Sequence, residues 1–187
     1  MGSICYVFNY RYQIMRKIIS GIVITIFTLS SIILVWGIIK KMQRHKQITE
    51  KISKLPSFVF TKLNNESFSS SEIINGPVLI IRFHPECEHC QYEISEILKS
   101  NIPVSGAIVI LLSSAHPDSV RRFLNKFNYS DYLSVIPLTD TSYISGDIFG
   151  SDIVPSNYIY NRELDLVKIL PGEVKPGTVI KYLRAIE

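Results

Sequence analysis

The Cys-Glu-His-Cys stretch at residues 87–90 constrains the fold more than any other part of the chain. It directly follows the apolar run Val78–Phe83, and a helix-compatible segment, Gln91–Lys99, comes directly after it. A strand, a Cys-x-x-Cys turn and a helix in this order put the first cysteine at a helix N-terminus, where free N–H groups and the helix dipole stabilise a thiolate. The pattern predicts a redox-active dithiol in which Cys87 attacks and Cys90 resolves.

Two other interpretations of the cysteine pair are inert buried thiols and half of a zinc site. Structural zinc needs four ligands, usually two cysteine pairs or one pair combined with histidines. His84 and His89 flank the pair, but both belong to the same short turn, and the sequence has no second Cys-x-x-Cys. The sequence therefore favours redox exchange, and we predict neither a metal nor a cofactor.

A second feature, the run Ile18–Ile39, contains 22 residues without a charge. As a helix it would be about 33 Å long, enough to cross the core of a bilayer. Trp36 lies near one end and Lys40 follows directly, as is typical of membrane interfaces. Because no small-x-small cleavage site follows, an uncleaved anchor is favoured over a signal peptide.

The net charge of +4 is unevenly distributed along the chain. Residues 1–54 carry nine Lys/Arg and one Glu, whereas residues 55–187 carry eleven Lys/Arg and fifteen Asp/Glu. The predicted folded part is therefore mildly acidic and lacks the basic aromatic stripe of a nucleic-acid-binding protein. The basic residues that follow the apolar run suit contact with anionic lipid headgroups. They are Lys40, Lys41, Arg44, Lys46, Lys51 and Lys54.

We predict four regions: an N-terminal tail (1–17), a transmembrane anchor (18–39), a basic juxtamembrane linker (40–55) and a folded domain (56–187). In the domain, Val78–Phe83 and Gly106–Leu112 have the continuous apolar character of strands buried in a parallel sheet. Arg82, inside the first run, is expected at a sheet edge or in a salt bridge. Further strand and helix signals continue to a C-terminal hairpin and helix. The element order predicts an α/β sheet with helices on both faces.

At this point the chain resembles the membrane-anchored, thioredoxin-like thiol-disulfide oxidoreductases of the TlpA/ResA type, over about residues 55–187. The resemblance rests on Phe83-x-x-x-Cys87-x-x-Cys90-x-x-Glu93, on Val154-Pro155-Ser156, and on Pro56-Ser57-Phe58 before a hairpin. It implies a thioredoxin-like α/β fold with an N-terminal β-hairpin extension, preceded by one transmembrane helix. Two positions depart from the family pattern: Glu86 replaces the usual tryptophan before the first cysteine, and His89 replaces a frequent proline.

The resemblance also implies the roles of the site residues. Cys87 and Cys90 would form the redox-active disulfide, and Glu93 would exchange a proton with the thiols. The Val154–Pro155 peptide bond would be cis and would lie next to the dithiol.

Four residues are expected to tune the site: Val154, beside Pro155, and three neighbours of the cysteines. Glu86 and Glu88, like Glu93, would raise the thiol pKa, whereas His89 would stabilise the Cys87 thiolate. A stabilised thiolate makes a disulfide more oxidising, so the direction of exchange stays open, with reduction favoured.

The expected function is thiol-disulfide exchange with exported proteins, with protein disulfides or dithiols, an upstream redox-recycling protein and membrane lipid as partners. One alternative is a copper chaperone, which normally has one more residue between its cysteines and a distal histidine that only His116 could supply. Another is a peroxiredoxin-like peroxidase, whose usual Thr/Ser-x-x pattern is absent from His84-Pro85-Glu86.

Location follows from where disulfides persist, which is outside the cytoplasm. We therefore expect a single-pass protein of the bacterial inner membrane with its catalytic domain on the extracytoplasmic side. In contrast, a positive-inside count of the lysines and arginines that flank the apolar run would place the domain in the cytoplasm.

Overall fold

The computed structural model describes residues 21, 27–43, 46–74, 76–151 and 153–185, and the chain divides into two compact units, Met1–Gln47 and Ile48–Glu187. In the first unit, residues 27–43 are helical and bear exposed apolar side chains; Phe27 is 72% and Trp36 65% exposed. Among the described residues, no helix has both the length and the apolar character needed to cross a bilayer. The predicted tail 1–17 and part of the predicted anchor 18–39 lie outside the described residues.

The second unit contains a seven-stranded mixed sheet in the order β2-β1-β5-β4-β3-β6-β7. Its strands are β1 (Val59–Lys62), β2 (Ser67–Ser69), β3 (Val78–Phe83), β4 (Ile108–Ser113), β5 (Val135–Thr139), β6 (Ser156–Tyr160) and β7 (Leu166–Pro171). The central strands β3, β4 and β5 are parallel, as their continuous apolar runs predict. The predicted N-terminal hairpin is formed by β1 and β2, and β1 also pairs with β5, so that the hairpin extends the main sheet.

Helices cover both faces of this sheet, which confirms the predicted layering. They are α1 (Glu88–Lys99), α2 (Pro117–Leu124), α3 (Ser145–Phe149) and α4 (Pro176–Arg184). One core contains Ile94 of α1, Phe123 of α2 and Leu183 of α4. Phe149 of α3 and Phe58 belong to the core on the opposite face. The dithiol therefore sits at the start of a helix that is anchored along one side of the central strands.

The most consequential boundary difference is the start of α1. This helix begins at Glu88 rather than at the predicted Gln91, so Cys90 lies inside its first turn. The reason is local: the Cys87 sulfur accepts the backbone N–H of Cys90 and takes the place of an N-cap oxygen.

The second compact unit begins at Ile48, eight residues before the predicted start of the folded domain at Pro56. Ile52 is fully buried in the core beside Phe58. The backbone N–H of Leu55 donates to the carbonyl oxygen of Leu164 at 2.8 Å. Residues 48–55 thus belong to the domain because an apolar side chain and backbone hydrogen bonds fix them to the sheet.

Arg82 lies in β3, between β4 and β6, so the expected edge position is wrong. Its side chain is buried, and its guanidinium donates a hydrogen bond to the carbonyl oxygen of Ser151. The buried guanidinium of Arg82 is tolerated because this carbonyl oxygen, from the segment before β6, accepts its hydrogen bond.

Candidate active site

Cys87 lies at the end of the turn between β3 and α1, and Cys90 lies in the first turn of α1, both at the carboxyl edge of the parallel strands. The backbone N–H of Cys87 donates to the carbonyl oxygen of His84 at 3.1 Å, and the side-chain amide of Gln91 donates to that of Pro85 at 2.6 Å. The first hydrogen bond closes the turn that directly follows β3, and the second joins this turn to α1. The dithiol is thereby placed on rigid elements.

The two thiols differ in exposure. Cys87 is partly exposed, and its Sγ accepts the backbone N–H of Cys90 at 3.3 Å. Cys90 is fully buried in the first turn of α1, and both cysteines are in the free thiol state. An accessible sulfur at a helix N-terminus, with a second sulfur sheltered behind it, is the arrangement that sequential attack and resolution require.

Burial raises the pKa of the Cys90 thiol to about 12, and the neighbouring Cys87 and the Glu93 carboxyl add to this effect. Since a charged thiolate is poorly solvated inside the protein, Cys90 keeps its proton at neutral pH. Cys90 therefore needs a base beside it before it can act as a nucleophile.

The loop before β6 faces the dithiol. The Val154–Pro155 bond is cis, as the resemblance implied. The Cys87 thiol lies 4.0 Å from the carbonyl oxygen of Val154, to which it donates. Pro155 is buried, and its carbonyl oxygen accepts the N–H of Gly172 at 2.9 Å. The structure thus brings Pro155 to the site, as expected.

Glu93 lies on α1 and is fully buried. Burial raises its pKa to about 7; the Asn157 side chain and the Val174 backbone partly oppose the shift, and the Glu173 carboxylate adds to it. Within the described part of the chain, neither Glu93 carboxyl oxygen nor Asn157 Oδ1 has a partner in hydrogen-bonding geometry. A carboxyl group in this state can hold or release a proton near pH 7, next to Cys90.

The residues expected to tune the cysteines lie mostly in solvent. Glu86 and Glu88 are exposed. His89 is also exposed, and its Nδ1 lies 2.7 Å from Oε2 of Glu173. The contact that the structure shows for His89 is thus with Glu173, whereas the sequence had suggested an action on the Cys87 thiolate.

Sequence reasoning missed two residues of the site, Asn157 and Glu173. Asn157 comes from β6 and Glu173 from the segment after β7, and both reach α1 only through the sheet pairing. The one available signal was the polar Asn157 beside the apolar residues of a predicted strand; all five residues of β6 are buried. For Glu173, in Pro171-Gly172-Glu173, the sequence carries no local signal.

A cleft of about 290 Å³ opens next to the dithiol, where the turns after β3 and β4 meet. Its lining is formed by His84, Pro85, Glu86, Ser114, Ala115, His116, Ser119 and Tyr143. Across residues 21, 27–43, 46–74, 76–151 and 153–185, no group of three or more His, Cys, Asp or Glu side chains is arranged to hold a metal ion.

No family model matches the sequence, and no curated protein matches it. Solved structures do match the fold. A secreted disulfide oxidoreductase of Mycobacterium tuberculosis, homologous to Escherichia coli DsbE, is 14% identical with a TM-score of 0.61, over 73% of this chain and 98% of that one. The exposed lipoprotein thioredoxin Etrx1 of Streptococcus pneumoniae is 18% identical with a TM-score of 0.56, over 70% and 99%.

A peroxiredoxin-like protein of Aquifex aeolicus is also similar, at 14% identity and a TM-score of 0.60, over 72% of this chain and 86% of that one. At such identities the likeness concerns the architecture of the chain. The sheet order, the dithiol at the start of α1 and the cis bond before β6 agree with it. The described domain of this chain therefore has a thioredoxin-like α/β fold.

Proposed function

We propose that the protein is a thiol-disulfide oxidoreductase that exchanges its Cys87–Cys90 dithiol with disulfides of other proteins. The observation that carries this proposal is the pairing of a partly exposed Cys87 at the N-terminus of α1 with a fully buried Cys90 behind it. Glu93 supports the same chemistry as a buried proton acceptor beside the second thiol. The disulfide oxidoreductase and thioredoxin among the similar structures agree with it.

In the reducing direction, the Cys87 thiolate attacks one sulfur of a substrate disulfide and forms a mixed disulfide, while the other substrate sulfur leaves as a thiolate that takes up a proton. The Cys90 thiol then passes its proton to the Glu93 carboxylate and attacks the Cys87 sulfur. The second substrate thiolate leaves and is protonated. Two electrons have moved to the substrate, and the protein holds a Cys87–Cys90 disulfide.

We infer that reduction is the physiological direction. Exposed Glu86 and Glu88 flank Cys87, and Glu173 rather than Cys87 is the partner of the His89 ring. Carboxylates near a thiolate destabilise the reduced form, and this lowers the reduction potential of the disulfide. The protein should then donate electrons rather than oxidise its substrates.

Equilibration with glutathione tests the direction. We expect a midpoint potential below about −220 mV and reduction of insulin by the dithiol form. A Glu86→Gln/Glu88→Gln double variant should have a higher midpoint than the parent, since both like charges are removed. A parent midpoint near about −120 mV would overturn the reducing direction. Peroxide consumption or tight copper(I) binding in place of insulin reduction would favour the two alternative functions.

The proposed location is the bacterial inner membrane, with the domain outside the cytoplasm in the manner of the TlpA/ResA type. Support comes from the uncharged run Ile18–Ile39 and from the exposed apolar side chains that its described helical part carries. Lipid headgroups would contact the basic residues that follow the run. Its exported substrates, and a recycling protein that returns electrons to the dithiol, would be met on that side.

A reporter fused after Glu187 tests this orientation in cells. Alkaline phosphatase, which needs disulfides, should be active in the fusion, and green fluorescent protein at the same position should be dark if it is exported unfolded. The reverse pair of results would place the domain in the cytoplasm and contradict the proposed substrates.

A further inference from the structure

The segment that follows β7 connects the exposed and the buried parts of the site. Glu173 lies in this segment, and its Oε2 is 2.7 Å from Nδ1 of His89 on the first turn of α1. The next residue, Val174, places its backbone near the Glu93 carboxyl. The exposed side chain of His89 therefore contacts the same segment whose backbone lies near the fully buried Glu93 carboxyl.

Few ionisable groups act on Glu93 from the elements around it. On its own helix the group is Cys90, and on the segment after β7 it is Glu173. Asn157 of β6 contributes an uncharged amide. The cationic residues of β7, of the segment after it and of α4 are exposed to solvent; they are Lys168, Lys175, Lys181 and Arg184. Glu173 is thus the carboxylate whose charge adds to the effect of burial and raises the pKa of Glu93 further.

We propose that the His89–Glu173 pair controls when Glu93 releases its proton, and so when Cys90 becomes a nucleophile. This inference rests on the exchange function proposed above. Both members are positioning residues, since neither touches a reacting sulfur. An anionic Glu173 favours the protonated form of Glu93, and a protonated His89 offsets that charge. His89 therefore acts on the buried site through Glu173.

The electrostatic effect enters at one step of the exchange. When Cys87 is in a mixed disulfide, the proton of Cys90 must move to the Glu93 carboxylate before the Cys90 sulfur attacks Cys87. The fraction of Glu93 that is ionised sets the rate of this step at each pH. Removing the Glu173 charge should make that fraction larger at lower pH, and removing the His89 charge should make it smaller.

The test uses the full-length protein carrying glutathione on Cys87, and the measurement is glutathione release as a function of pH. Relative to the parent, Glu173→Gln should shift the midpoint of the pH profile down by about half a pH unit. At a fixed pH below the midpoint, the variant should therefore release glutathione about threefold faster than the parent. His89→Gln should shift the midpoint upward. The double variant should behave like Glu173→Gln alone, because His89 then has no carboxylate through which to act.

A matched control keeps the result specific. Glu96→Gln removes a carboxylate from the same helix, where Glu96 pairs with Lys99. This variant should not shift the midpoint. An unchanged midpoint in Glu173→Gln, or an equal effect of His89→Gln with and without Glu173, would overturn the proposal. A parent protein that fails to release glutathione at any pH would overturn the exchange function and this inference together.

Discussion

Replacing Cys87 by serine is expected to abolish disulfide exchange, with a loss of at least about 10³-fold in insulin reduction. Cys87 supplies the accessible sulfur at the N-terminus of α1, and a serine hydroxyl cannot form the mixed disulfide. Cys90→Ala should instead attack normally and stop, because the buried resolving thiol is gone. Intact-mass analysis after reaction with a disulfide should show about one adduct per chain, located on Cys87.

Cys5→Ser is the matched control for these two variants, since it removes a thiol that the sequence places far from the dithiol. It should reduce insulin at the parental rate. A Cys87→Ser protein that still reduces insulin, or an adduct of Cys90→Ala that maps to Cys5, would contradict the assignment of the attacking thiol.

Glu93→Gln is expected to stabilise the protein at pH 8 and to have much less effect at pH 4. In the folded state the pKa of Glu93 is raised from 4.5 to about 7 by burial. As pH rises from about 4 to 8, the unfolded chain ionises this residue first, so folding stability falls by up to about 3 kcal/mol. Glutamine resembles the protonated acid and avoids this loss, and its amide can donate to the unpaired Asn157 Oδ1.

Urea unfolding of the reduced protein at pH 4 and pH 8 measures this effect. The stability difference between the variant and the parent should grow by about 3 kcal/mol between the two pH values. Glu96→Gln, on the same helix, should show no comparable growth. A constant difference for Glu93→Gln would mean that Glu93 is not buried in the uncharged form at neutral pH.

The same substitution should cost activity. Without a proton acceptor beside Cys90, the resolving step is expected to slow by about 10²-fold, and the remaining rate should lose its midpoint near pH 7. Single-turnover release of glutathione from Cys87 reports on this step directly. A stabilised variant with a slow resolving step would show that the site keeps an unfavourable buried carboxyl for the sake of proton transfer. An unchanged rate would contradict the role of Glu93 as the base.

How much of the site could be predicted depended on the distance in sequence between its parts. Cys87 and Cys90 lie on one strand-turn-helix unit, so their spacing was enough to place them together. The position of Glu93 beside them was implied by the family resemblance. The cis bond at Pro155 came from the family resemblance and is confirmed. The interpretation of His89 was incomplete because its partner, Glu173, lies 84 residues further along the chain.

The boundaries of the domain likewise separate features that depend on neighbouring residues from features that depend on tertiary packing. Apolar runs predicted β3 and β4 because strands buried on both faces leave a continuous pattern. Residues 48–55 were predicted as a linker since their charges dominate the local composition. Ile52 is fully buried in the core that contains Phe58 and Phe149, and it joins residues 48–55 to the domain. The sequence did not indicate this burial, because Ile52 is a single apolar side chain within a polar stretch.

The sequence by itself determined the dithiol, the helix that activates it and the order of strands and helices. These features depend on neighbouring residues and on the periodicity of apolar side chains, which can be seen in a single chain. The tertiary structure decided the environment of the dithiol. The pairing of β6 with β3, and of β7 with β6, brings Asn157 and Glu173 to Glu93, and burial raises the pKa of both Cys90 and Glu93. Desolvation is a property of the packed core, so proton affinities at the site become defined only once distant elements close over it.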